Sequence, residues 1–469
     1  MPFTAIVLAA GEGTRMKSRH PKVMHKVLDK PLVWWCVRAA RKAGATRVIV
    51  VVGNGADEVR DFFAHEPVPE GEAPVEFVEQ TERLGTGHAV RVVRDAIGGF
   101  SGPVLVMAGD TPLIKPETLA ALVEERKAQH AACTVLTMTP DDCTDYGRVV
   151  LDEQGQVTAI IEHKDCTEEQ RQTLKECNSA TYCFCGHRLA DNLDKIGNDN
   201  AQGEYYLPDL IKIFVSEGEP VGMHHAPEAS EVLGVNNRAQ LAEVTKVMQR
   251  RINHELMLSG VSMLDPDQVW VGADVTVGQD TVLMPQTILF GHTTVGTDCT
   301  IGPNSRLTNA TVGNGCTVDE SILVDSAIDD DVNCGPRAYL RGHTHLLKGA
   351  KAGTHVELKN SVVGEGSKVP HLSYIGDCTM GANVNIGGGS ITCNYDGKHK
   401  SHTTIGDHVF VGSDTMMVAP VTIGENALVG ASSCITHDVP AGALSLERSQ
   451  QIIKEDWANH YWERLKEED

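Results

Sequence analysis

Ile405-Gly406-Asp407-His408-Val409-Phe410-Val411-Gly412 contains two copies of a short unit, in which an aliphatic residue and a glycine precede four mostly small or polar residues. The aliphatic–glycine pair recurs in one phase, and several copies are spaced by six or twelve residues. Further copies are Val271-Gly272, Val277-Gly278, Val295-Gly296, Ile301-Gly302, Val312-Gly313, Val363-Gly364, Ile375-Gly376, Ile423-Gly424 and Val429-Gly430. A six-residue period is typical of a parallel β-helix, in which about three units close one turn and the turns stack. We therefore predict such a coil over residues 261–446, with its aliphatic side chains pointing inward. The repeat is broken once, between Ile386 and Ile405, which predicts an inserted loop on one face of the coil.

The first half of the chain has a different sequence pattern, in which short β-branched runs alternate with helical patterns. Strands are predicted at 5–8, 47–52, 75–78, 104–107 and 133–138, and helices at 31–43, 56–63, 87–96 and 116–129. This alternation is typical of an α/β domain with a mostly parallel sheet. Leucine, valine, methionine and isoleucine at helical spacing predict a further helix over 237–258. We assign residues 1–238 to the α/β domain, 239–260 to a linker helix, 261–446 to the coil and 447–469 to a C-terminal tail.

Composition limits the classes of function. The 469 residues carry a formal net charge of −22, which argues against a broad nucleic-acid-binding surface. No apolar run approaches the ~18 residues of a membrane span. The chain begins without the basic and apolar segments of a secretory signal. The 13 cysteines are odd in number and scattered, which favours reduced thiols. We therefore expect a cytoplasmic protein that binds neither nucleic acid nor a membrane.

A glycine-rich turn follows the first predicted strand, in Leu8-Ala9-Ala10-Gly11-Glu12-Gly13-Thr14-Arg15-Met16. Such a turn lets backbone N–H groups approach a phosphate closely. It is neither a dinucleotide fingerprint, because Met16 takes the last glycine position, nor a P-loop. Gly-Glu-Gly alone is more often a structural turn, but Arg15 and Lys22 add two cations that suit a polyphosphate.

This stretch and the Pro21-Lys22 that follows resemble the sugar-1-phosphate nucleotidyltransferases. Further matching segments are Gln80, Leu84-Gly85-Thr86-Gly87, Gly109-Asp110, Tyr146-Gly147-Arg148, Glu162-His163-Lys164, Asn178 and Gly234-Val235-Asn236-Asn237. With the repeats, nearly the whole chain resembles the bacterial bifunctional N-acetylglucosamine-1-phosphate uridyltransferase and glucosamine-1-phosphate acetyltransferase family. The resemblance implies a Rossmann-like nucleotidyltransferase domain followed by a left-handed parallel β-helix of hexapeptide repeats.

The resemblance also implies roles for residues of the first domain. The UTP and UDP-N-acetylglucosamine site would comprise Leu8, Ala9, Ala10, Gly11, Lys22, Gln80, Gly85, Thr86, Gly147, Glu162, Asn178 and Asn236. Arg15 and Lys22 would be catalytic, and Asp110 with Asn236 would bind Mg²⁺. Asp110 taken alone is as consistent with a turn before Pro112. In the implied reaction, N-acetylglucosamine 1-phosphate attacks UTP and pyrophosphate leaves.

In the coil, His371-Leu372-Ser373-Tyr374-Ile375-Gly376-Asp377 resembles a segment of the same family. His371 is implied as the base for acetyl transfer to glucosamine 1-phosphate, which suits a side chain that titrates near neutral pH. The implied acceptor-binding residues are Arg341, Lys359, Tyr374 and Asn385, and those for acetyl-CoA are Asn394, Tyr395, Lys400, Ser413, Ala431 and Arg448. The family is trimeric, so we expect a homotrimer with acetyl sites shared between chains.

The chain departs from the family pattern at a few positions. Ala108, Arg83, Ser179, Gly342 and Pro370 stand where tyrosine, glutamine, threonine, proline and glycine are common. Two other functions fit parts of the sequence. One is an ADP-glucose pyrophosphorylase-like enzyme with a regulatory coil, which would leave His371 and Tyr374 without a purpose. The other is a scaffold subunit of a translation exchange factor, which the intact Lys22, Asp110 and Asn236 argue against.

Overall fold

A computed structural model describes residues 2–467 and divides after Arg251 into two compact units. The division falls within the helix Arg238–Leu258, close to the predicted linker helix. Each unit has its own hydrophobic core. The units are therefore described separately.

The first unit is built on one twisted sheet, which has nine strands within the described residues. The main path runs in the order Val221–His225, Cys133–Met138, Cys177–Cys185, Pro103–Ala108, Phe3–Leu8, Ala45–Val52 and Glu76–Glu79. Off this path, Arg148–Leu151 pairs with Cys177–Cys185 and with Val157–Ile161. Neighbours along the path are parallel except at Cys177–Cys185, which is antiparallel to both of its neighbours. The predicted α/β class with a mostly parallel sheet is confirmed.

Helices cover both faces of this sheet. The α-helices are Leu32–Lys42, Ala56–His65, Thr86–Ile97, Pro116–Ala128, Glu168–Thr173, Gly186–Asn192, Asp209–Ser216 and Arg238–Leu258. Short 3₁₀ turns lie at Thr14–Met16, Lys22–Met24, His163–Asp165, Leu193–Lys195 and Ala229–Val232, and Lys26–Val27 pairs with Lys30–Pro31. Along the first strand, Ala5 and Val7 pack in one core and Ile6 in the other. Burial on both faces explains why the strands read as continuous apolar runs rather than as an alternation.

The second unit is a left-handed parallel β-helix with three sheets, which we call face one, face two and face three. Face one comprises Ser262–Met263, Val282–Leu283, Thr300–Ile301, Thr317–Val318, Asn333–Cys334, Lys351–Thr354, Lys368–His371, Asn385–Ile386, Phe410–Val411, Leu428–Val429 and Leu444–Ser445. Face two comprises Trp270–Val271, Ile288–Phe290, Arg306–Thr308, Ile322–Val324, Tyr339–Arg341, Glu357–Lys359, Tyr374–Gly376, Ile391–Cys393, Met416–Val418 and Cys434–Ile435. Face three comprises Thr276–Val277, Thr294–Val295, Thr311–Val312, Ala327–Ile328, His345–Leu346, Val362–Val363, Cys378–Met380, Thr403–Ile405 and Val421–Ile423. The predicted coil is confirmed.

Aliphatic side chains stack inside this coil, one per strand. On face two the stack runs through Leu289, Leu307, Leu323, Leu340, Leu358 and Ile375, all fully buried. The glycine after the inward residue is needed because successive turns nearly touch. A Cβ on Gly296 would lie 2.7 Å from the carbonyl carbon of Gly313, in the next turn. On Gly424 it would lie 2.8 Å from the Cα of Ala441.

The break in the repeat is shorter than the sequence suggested. The interruption was placed between Ile386 and Ile405, but Ile391–Cys393 keeps its register with the turns before and after it. The extra residues therefore begin after Cys393. They form a loop in which Tyr395 pairs with Lys400 and the Asp396 carboxylate accepts N–H groups from Lys398 and His399.

The chain after the coil ends in the helix Trp457–Glu467. The rings of Trp457 and Tyr461 stack with centroids 5.3 Å apart, and Trp457 and Trp462 stay more than half exposed. Within residues 2–467, none of the helices combines the length and the apolar character needed to cross a membrane.

Substituting Gly296 by alanine should destabilise the coil. The added methyl group meets the backbone of the next turn, which cannot rotate away as a side chain would, so we expect a loss of about 1–3 kcal/mol in the free energy of unfolding. Chemical denaturation followed by circular dichroism measures the change.

The matched control is Gly197→Ala, whose new methyl group would lie in open space at a backbone conformation open to any residue. It should leave the stability unchanged or slightly higher. Equal stabilities for the two variants would contradict the role given to the close approach of the turns.

Candidate active sites

A cavity of about 750 Å³ opens at the carboxyl ends of the central strands of the first unit. Ligands of open α/β sheets bind at this edge. Ten of the predicted nucleotide and metal residues line it: Leu8, Ala9, Ala10, Gly11, Lys22, Gln80, Gly85, Thr86, Asp110 and Glu162. Strands ending at Leu8 and Ala108 bring the glycine-rich turn and Asp110 to the same edge. The structure therefore gathers most of the predicted first site in one place.

The glycine-rich turn makes room for Lys22. Gly13 has a φ of 61°, and a Cβ there would collide with the Lys22 side chain. With glycine in place, the Lys22 ammonium forms an ion pair with the carboxylate of Asp110 and donates a hydrogen bond of 3.0 Å to the side-chain oxygen of Asn236. The Lys22 and Asp110 side chains are only 15% and 17% exposed, so this pair is screened little by solvent.

The two predicted metal ligands thus face a common position. The Asp110 carboxylate and the Asn236 amide oxygen both contact one cationic group, the Lys22 ammonium. A carboxylate and one neutral oxygen suit Mg²⁺, which takes few protein ligands and completes its shell with water and phosphate oxygens. The donor set therefore fits a hard divalent cation. Within residues 2–467, no group of three or more histidine, cysteine, aspartate or glutamate side chains is arranged to hold a metal.

The predicted sugar residues are joined to each other by backbone and side-chain contacts. Asn178 donates its backbone N–H to the carbonyl of Gly147 at 2.9 Å, and its side-chain amide donates to the Tyr182 hydroxyl at 2.7 Å. Tyr182 and Glu162 line the cavity, whereas Gly147 and Asn178 do not. Gly147, Asn178 and Asn236 are therefore adjacent to the lining rather than part of it.

Glu162 is set apart by its electrostatic environment. Burial, together with the negative charges of Asp165, Asp209 and Glu204, raises its pKa to about 7. The Tyr206 hydroxyl nearby is buried and has no hydrogen-bond partner in the structure. A carboxyl group with this pKa is about half protonated at neutral pH, so it can donate as well as accept a hydrogen bond.

Arg15, which the sequence suggested as a phosphate-binding cation, lies outside the cavity lining. Its guanidinium bonds to the Asp145 carboxylate at 2.5 Å with both side chains about half exposed. Arg83, one of the family departures, forms an ion pair with Glu12, and both residues line the cavity. This pair joins the glycine-rich turn to the loop after Gln80.

One segment of the cavity lining was not predicted from the sequence. It is formed by Gln202, Glu204, Leu207 and Pro208. This segment binds the loop 84–87 through backbone hydrogen bonds, from Tyr205 N–H to Leu84 O at 2.7 Å and from Gly87 N–H to Tyr205 O at 2.8 Å. The Thr86 hydroxyl also accepts the Leu207 N–H at 3.0 Å. Because most of this pairing uses backbone groups of residues far apart in the chain, no motif marks it.

In the second unit, one corner of the coil carries a row of predicted residues. His371 ends a strand of face one, and at the same corner in later turns lie Ser413, Ala431 and Arg448. A Cβ on Gly388, in the turn after His371, would lie 3.3 Å from the His371 Cβ. Asp414 N–H donates to Gly388 O, Ser432 N–H donates to Ser413 O, and the Arg448 guanidinium donates to Ala431 O at 3.2 Å. These contacts form an unbroken edge from the histidine to Arg448.

The predicted phosphate-binding cations lie at the carboxyl ends of two face-two strands. Arg341 and Lys359 are register partners on neighbouring strands, and Arg341 makes two hydrogen bonds to the Glu357 carboxylate at 2.6 and 2.9 Å. Interaction with the neighbouring Lys359 side chain lowers the pKa of Lys400. Two close cations that repel each other are suited to an anion.

Tyr374 lies on the next strand of face two, in register with Glu357. Its ring folds over Gly376, where a Cβ would lie 2.6 Å from the phenol carbon, and its hydroxyl is 3.5 Å from the Asn394 amide. Asn394 also donates to Asp377 at 2.5 Å. Burial alone would raise the pKa of Asp377, but hydrogen bonds from Asn360 and Asn394 outweigh it and hold that pKa below its usual value.

Other predicted acetyl-site residues lie apart within one chain. Asn385 lies on face one, between Lys368 and Phe410 in register, and Tyr395 lies in the inserted loop with 61% exposure. Gly342 has a φ of 63°, which proline cannot adopt, so the turn after Arg341 differs from one built with proline.

Comparisons with known proteins agree with both halves of this architecture. The MobA-like NTP transferase domain family matches residues 5–202, the bacterial transferase hexapeptide family matches residues 402–437, and the hexapeptide repeat of succinyl-transferase matches residues 292–322. A curated relative named Bifunctional protein GlmU, from Caldanaerobacter subterraneus subsp. tengcongensis, is 47% identical over 99% of this chain and 98% of its own. The chain belongs to the GlmU family. GlmU proteins of Heliobacterium modesticaldum (47% identical over 97% of each chain) and of an Exiguobacterium species (46%, over 97% of this chain and 98% of its own) agree.

Membership of the GlmU family defines the activity. The chain is a bifunctional transferase of UDP-N-acetylglucosamine synthesis, with a uridyltransferase in its nucleotidyltransferase unit and an acetyltransferase in its hexapeptide coil. The two alternatives, a regulatory coil and a scaffold subunit, are set aside by the full-length similarity to GlmU proteins.

Replacing Glu162 by glutamine should change how the stability of this GlmU chain varies with pH. In the unfolded chain a glutamate ionises near pH 4.5, whereas Glu162 holds its proton to about pH 7 when folded. Raising the pH between these values therefore favours the unfolded state, and the glutamine variant escapes this loss. The melting temperature of the variant relative to the parent should rise from pH 5 to pH 8 and level off above it.

The control is Glu153→Gln, on the exposed turn 152–155 of the same unit. Its difference from the parent should stay flat over that range. A difference that is constant for Glu162→Gln would contradict the raised pKa.

Proposed function

We propose that the cavity of the first unit binds UTP and N-acetylglucosamine 1-phosphate side by side. The glycine-rich turn with Gln80, Gly85 and Thr86 would hold the nucleotide, and Glu162 with Gly147 and Asn178 would hold the sugar. The observation that supports this most directly is the meeting of Lys22, Asp110 and Asn236 at the cavity edge. These groups come from three distant parts of the chain, and a turn with solvated cations would not bring them together.

Asp110 and Asn236 are the residues we propose to hold Mg²⁺. Bound there, the ion would neutralise phosphate charge and help to orient the triphosphate. Lys22 then has a second role, because its ammonium can turn from Asp110 and Asn236 toward phosphate oxygens. Arg15 would leave its exposed pair with Asp145 for the same phosphates, at little cost since exposed ion pairs are weak.

The uridylyl transfer asks little covalent work of the protein. A phosphate oxygen of the sugar phosphate attacks the α-phosphorus of UTP, the bond to the β-phosphate oxygen breaks, and pyrophosphate leaves. Catalysis of this kind rests on alignment and on charges placed where negative charge develops. Lys22 and Arg15 supply that charge from the chain itself.

For the coil, we propose that His371 removes a proton from the amine of glucosamine 1-phosphate. The amine attacks the thioester carbonyl of acetyl-CoA, the carbon–sulfur bond breaks, and the CoA thiolate takes up a proton. Arg341 and Lys359 would bind the sugar phosphate, Tyr374 with Asn385 would orient the sugar, and Lys400 would contact acetyl-CoA. The edge that carries Ser413, Ala431 and Arg448 starts at His371, so a long ligand such as CoA could follow it, with Asn394 and Tyr395 completing the site.

We further propose that three chains associate through the coil, in the cytoplasm, and share the acetyl sites. Phe410, Leu428 and Leu444 are register partners in successive turns of face one and are 49%, 45% and 61% exposed. Such an apolar stripe on a folded chain marks an interaction surface. Asn385 stands next to Phe410 in the same ladder, so a chain that covers the stripe also reaches a proposed substrate residue.

Reciprocal variants should separate the two activities. His371→Ala should lower acetyl transfer, assayed as release of CoA thiol, by about 100-fold or more. It should leave pyrophosphate release from UTP and N-acetylglucosamine 1-phosphate within twofold. Asp110→Ala should lower uridylyl transfer by about 100-fold or more and spare acetyl transfer.

Each variant serves as the folding control for the other, because the retained activity reports an intact chain. Loss of both activities in a folded His371→Ala protein would refute the two-site assignment. Retention of Mg²⁺-dependent uridylyl transfer in Asp110→Ala would refute the proposed metal ligand.

Placing a charge on the apolar stripe should disrupt the trimer. Phe410→Asp should reduce the mass seen by light scattering from about three chains toward one, because burying an unpaired carboxylate is costly. Acetyl transfer should fall with it, whereas uridylyl transfer should persist. Thr276→Asp, on an exposed position of face three in the first turn, should keep the parent mass. A parent protein that scatters as a single chain under assay conditions would overturn this proposal.

A further inference from the structure

Cys143 and Cys177 form a pair of neighbouring thiols beside the proposed sugar site. Both sulfurs donate to the same acceptor, the carbonyl oxygen of Lys175, at 3.6 and 3.5 Å. The side chains are close enough to influence each other, because Cys143 adds to burial in raising the pKa of the Cys177 thiol. The two residues lie far apart in the chain, so the fold alone brings them together.

The pair is tied to residues proposed to bind the sugar. Cys177 directly precedes Asn178, whose N–H donates to Gly147. On the other side, the Arg148 guanidinium donates to the carbonyl of Cys143 at 2.8 Å. Asp145, two residues after Cys143, holds Arg15. A movement of Cys143 toward Cys177 would therefore shift both the sugar side and a phosphate-binding arginine.

Access differs between the two thiols. Cys143 is partly exposed, whereas Cys177 is buried. Burial, reinforced by the neighbouring Cys143 side chain, raises the pKa of the Cys177 thiol to about 12. The neighbouring thiols Cys299 and Cys316, in the coil, are both buried, so an outside reagent reaches neither of them. The pair Cys143 and Cys177 instead places a partly exposed sulfur beside a buried one.

We propose that Cys143 and Cys177 are a modification site for low-molecular-weight disulfides, at which oxidation switches off uridylyl transfer. The Cys143 thiolate attacks the small disulfide, a mixed disulfide forms, and one small thiolate leaves. Cys177 gives up its proton and attacks the Cys143 sulfur, a bond forms between the two protein sulfurs, and the second small thiolate leaves. The protein loses two electrons and two protons, and the small disulfide is reduced to two thiols.

The consequence follows from the geometry. A disulfide holds its sulfurs about 2.05 Å apart, closer than two thiols in contact. The loop that carries Cys143, or the strand start at Cys177, must then move by the order of 1 Å. A displacement of that size at a substrate site can cost about 100-fold in rate. We expect a loss of at least tenfold in uridylyl transfer, and this expectation rests on the proposed role of Gly147 and Asn178.

The full-length chain incubated with oxidised glutathione tests the site. Peptide mapping by mass spectrometry should find Cys143 joined to Cys177, with uridylyl transfer down at least tenfold. Dithiothreitol should remove the link and restore the rate. Cys143→Ser should keep full uridylyl activity in oxidised glutathione, and Cys177→Ser should stop at glutathione bound to Cys143 without a cross-link. Cys185→Ser, on the same strand as Cys177, should respond like the parent.

Three results in the parent protein would overturn the inference: no Cys143–Cys177 peptide, glutathione retained on Cys143 without the second exchange, or the linked peptide with an unchanged uridylyl rate. Inhibition that persists in Cys143→Ser would overturn it as well. If the proposed function were wrong, Asp110→Ala would retain uridylyl transfer in the reduced protein. The cross-linked peptide is detected by mass spectrometry whether or not the enzyme is active, so the two failures can be told apart.

Discussion

Successive turns of the coil approach closely, and at several corners the residue after the inward side chain is a glycine with no room for a Cβ. At Gly296 and Gly424 an added methyl group would come within 3 Å of the neighbouring backbone. This approach sets the vertical spacing, and the spacing lets the aliphatic side chains stack in unbroken contact through the core. Every outward side chain is then held at a defined height and on a defined face. The proposed acetyl-site residues are positioned by this ladder rather than by a loop or a helix.

In the first unit, the functional side chains are positioned differently. Its strands end at one edge, and the turns that follow them carry the functional groups. Gly13 permits the Lys22 side chain to pass, and Lys22 then reaches Asp110 and Asn236. The Lys22 ammonium, whose side chain is 15% exposed, lies between these two oxygens, and in the proposed reaction it turns toward the phosphates. The ion pair with Asp110, which solvent screens little, therefore positions the Lys22 ammonium at this site in a protein of net charge −22.

Much of the fold could be read from local patterns. The strands at 5–8 and 133–138 and the helices at 56–63 and 116–129 were predicted within two residues of their observed bounds. The inserted loop was placed too early, because the turn at Ile391–Cys393 has no aliphatic–glycine pair, although its inward residue, Thr392, fits the ladder. Its hydroxyl accepts the Gly376 N–H at 2.7 Å and so replaces a backbone bond. A polar residue that completes the ladder leaves no mark in a search for aliphatic periods.

The amino-acid sequence by itself determined the two kinds of domain, the family and the positions of the glycine-rich turn and the histidine. Period and spacing depend on neighbours a few residues apart, so a linear chain displays them. Only the tertiary structure decided that Lys22 meets Asn236, 214 residues away, and that residues 202–208 close the cavity. It also decided that Glu162 holds its proton to about pH 7 and that two thiols share one carbonyl. Burial and charge at a site are sums over contacts between distant segments, and those contacts exist only once the chain has folded.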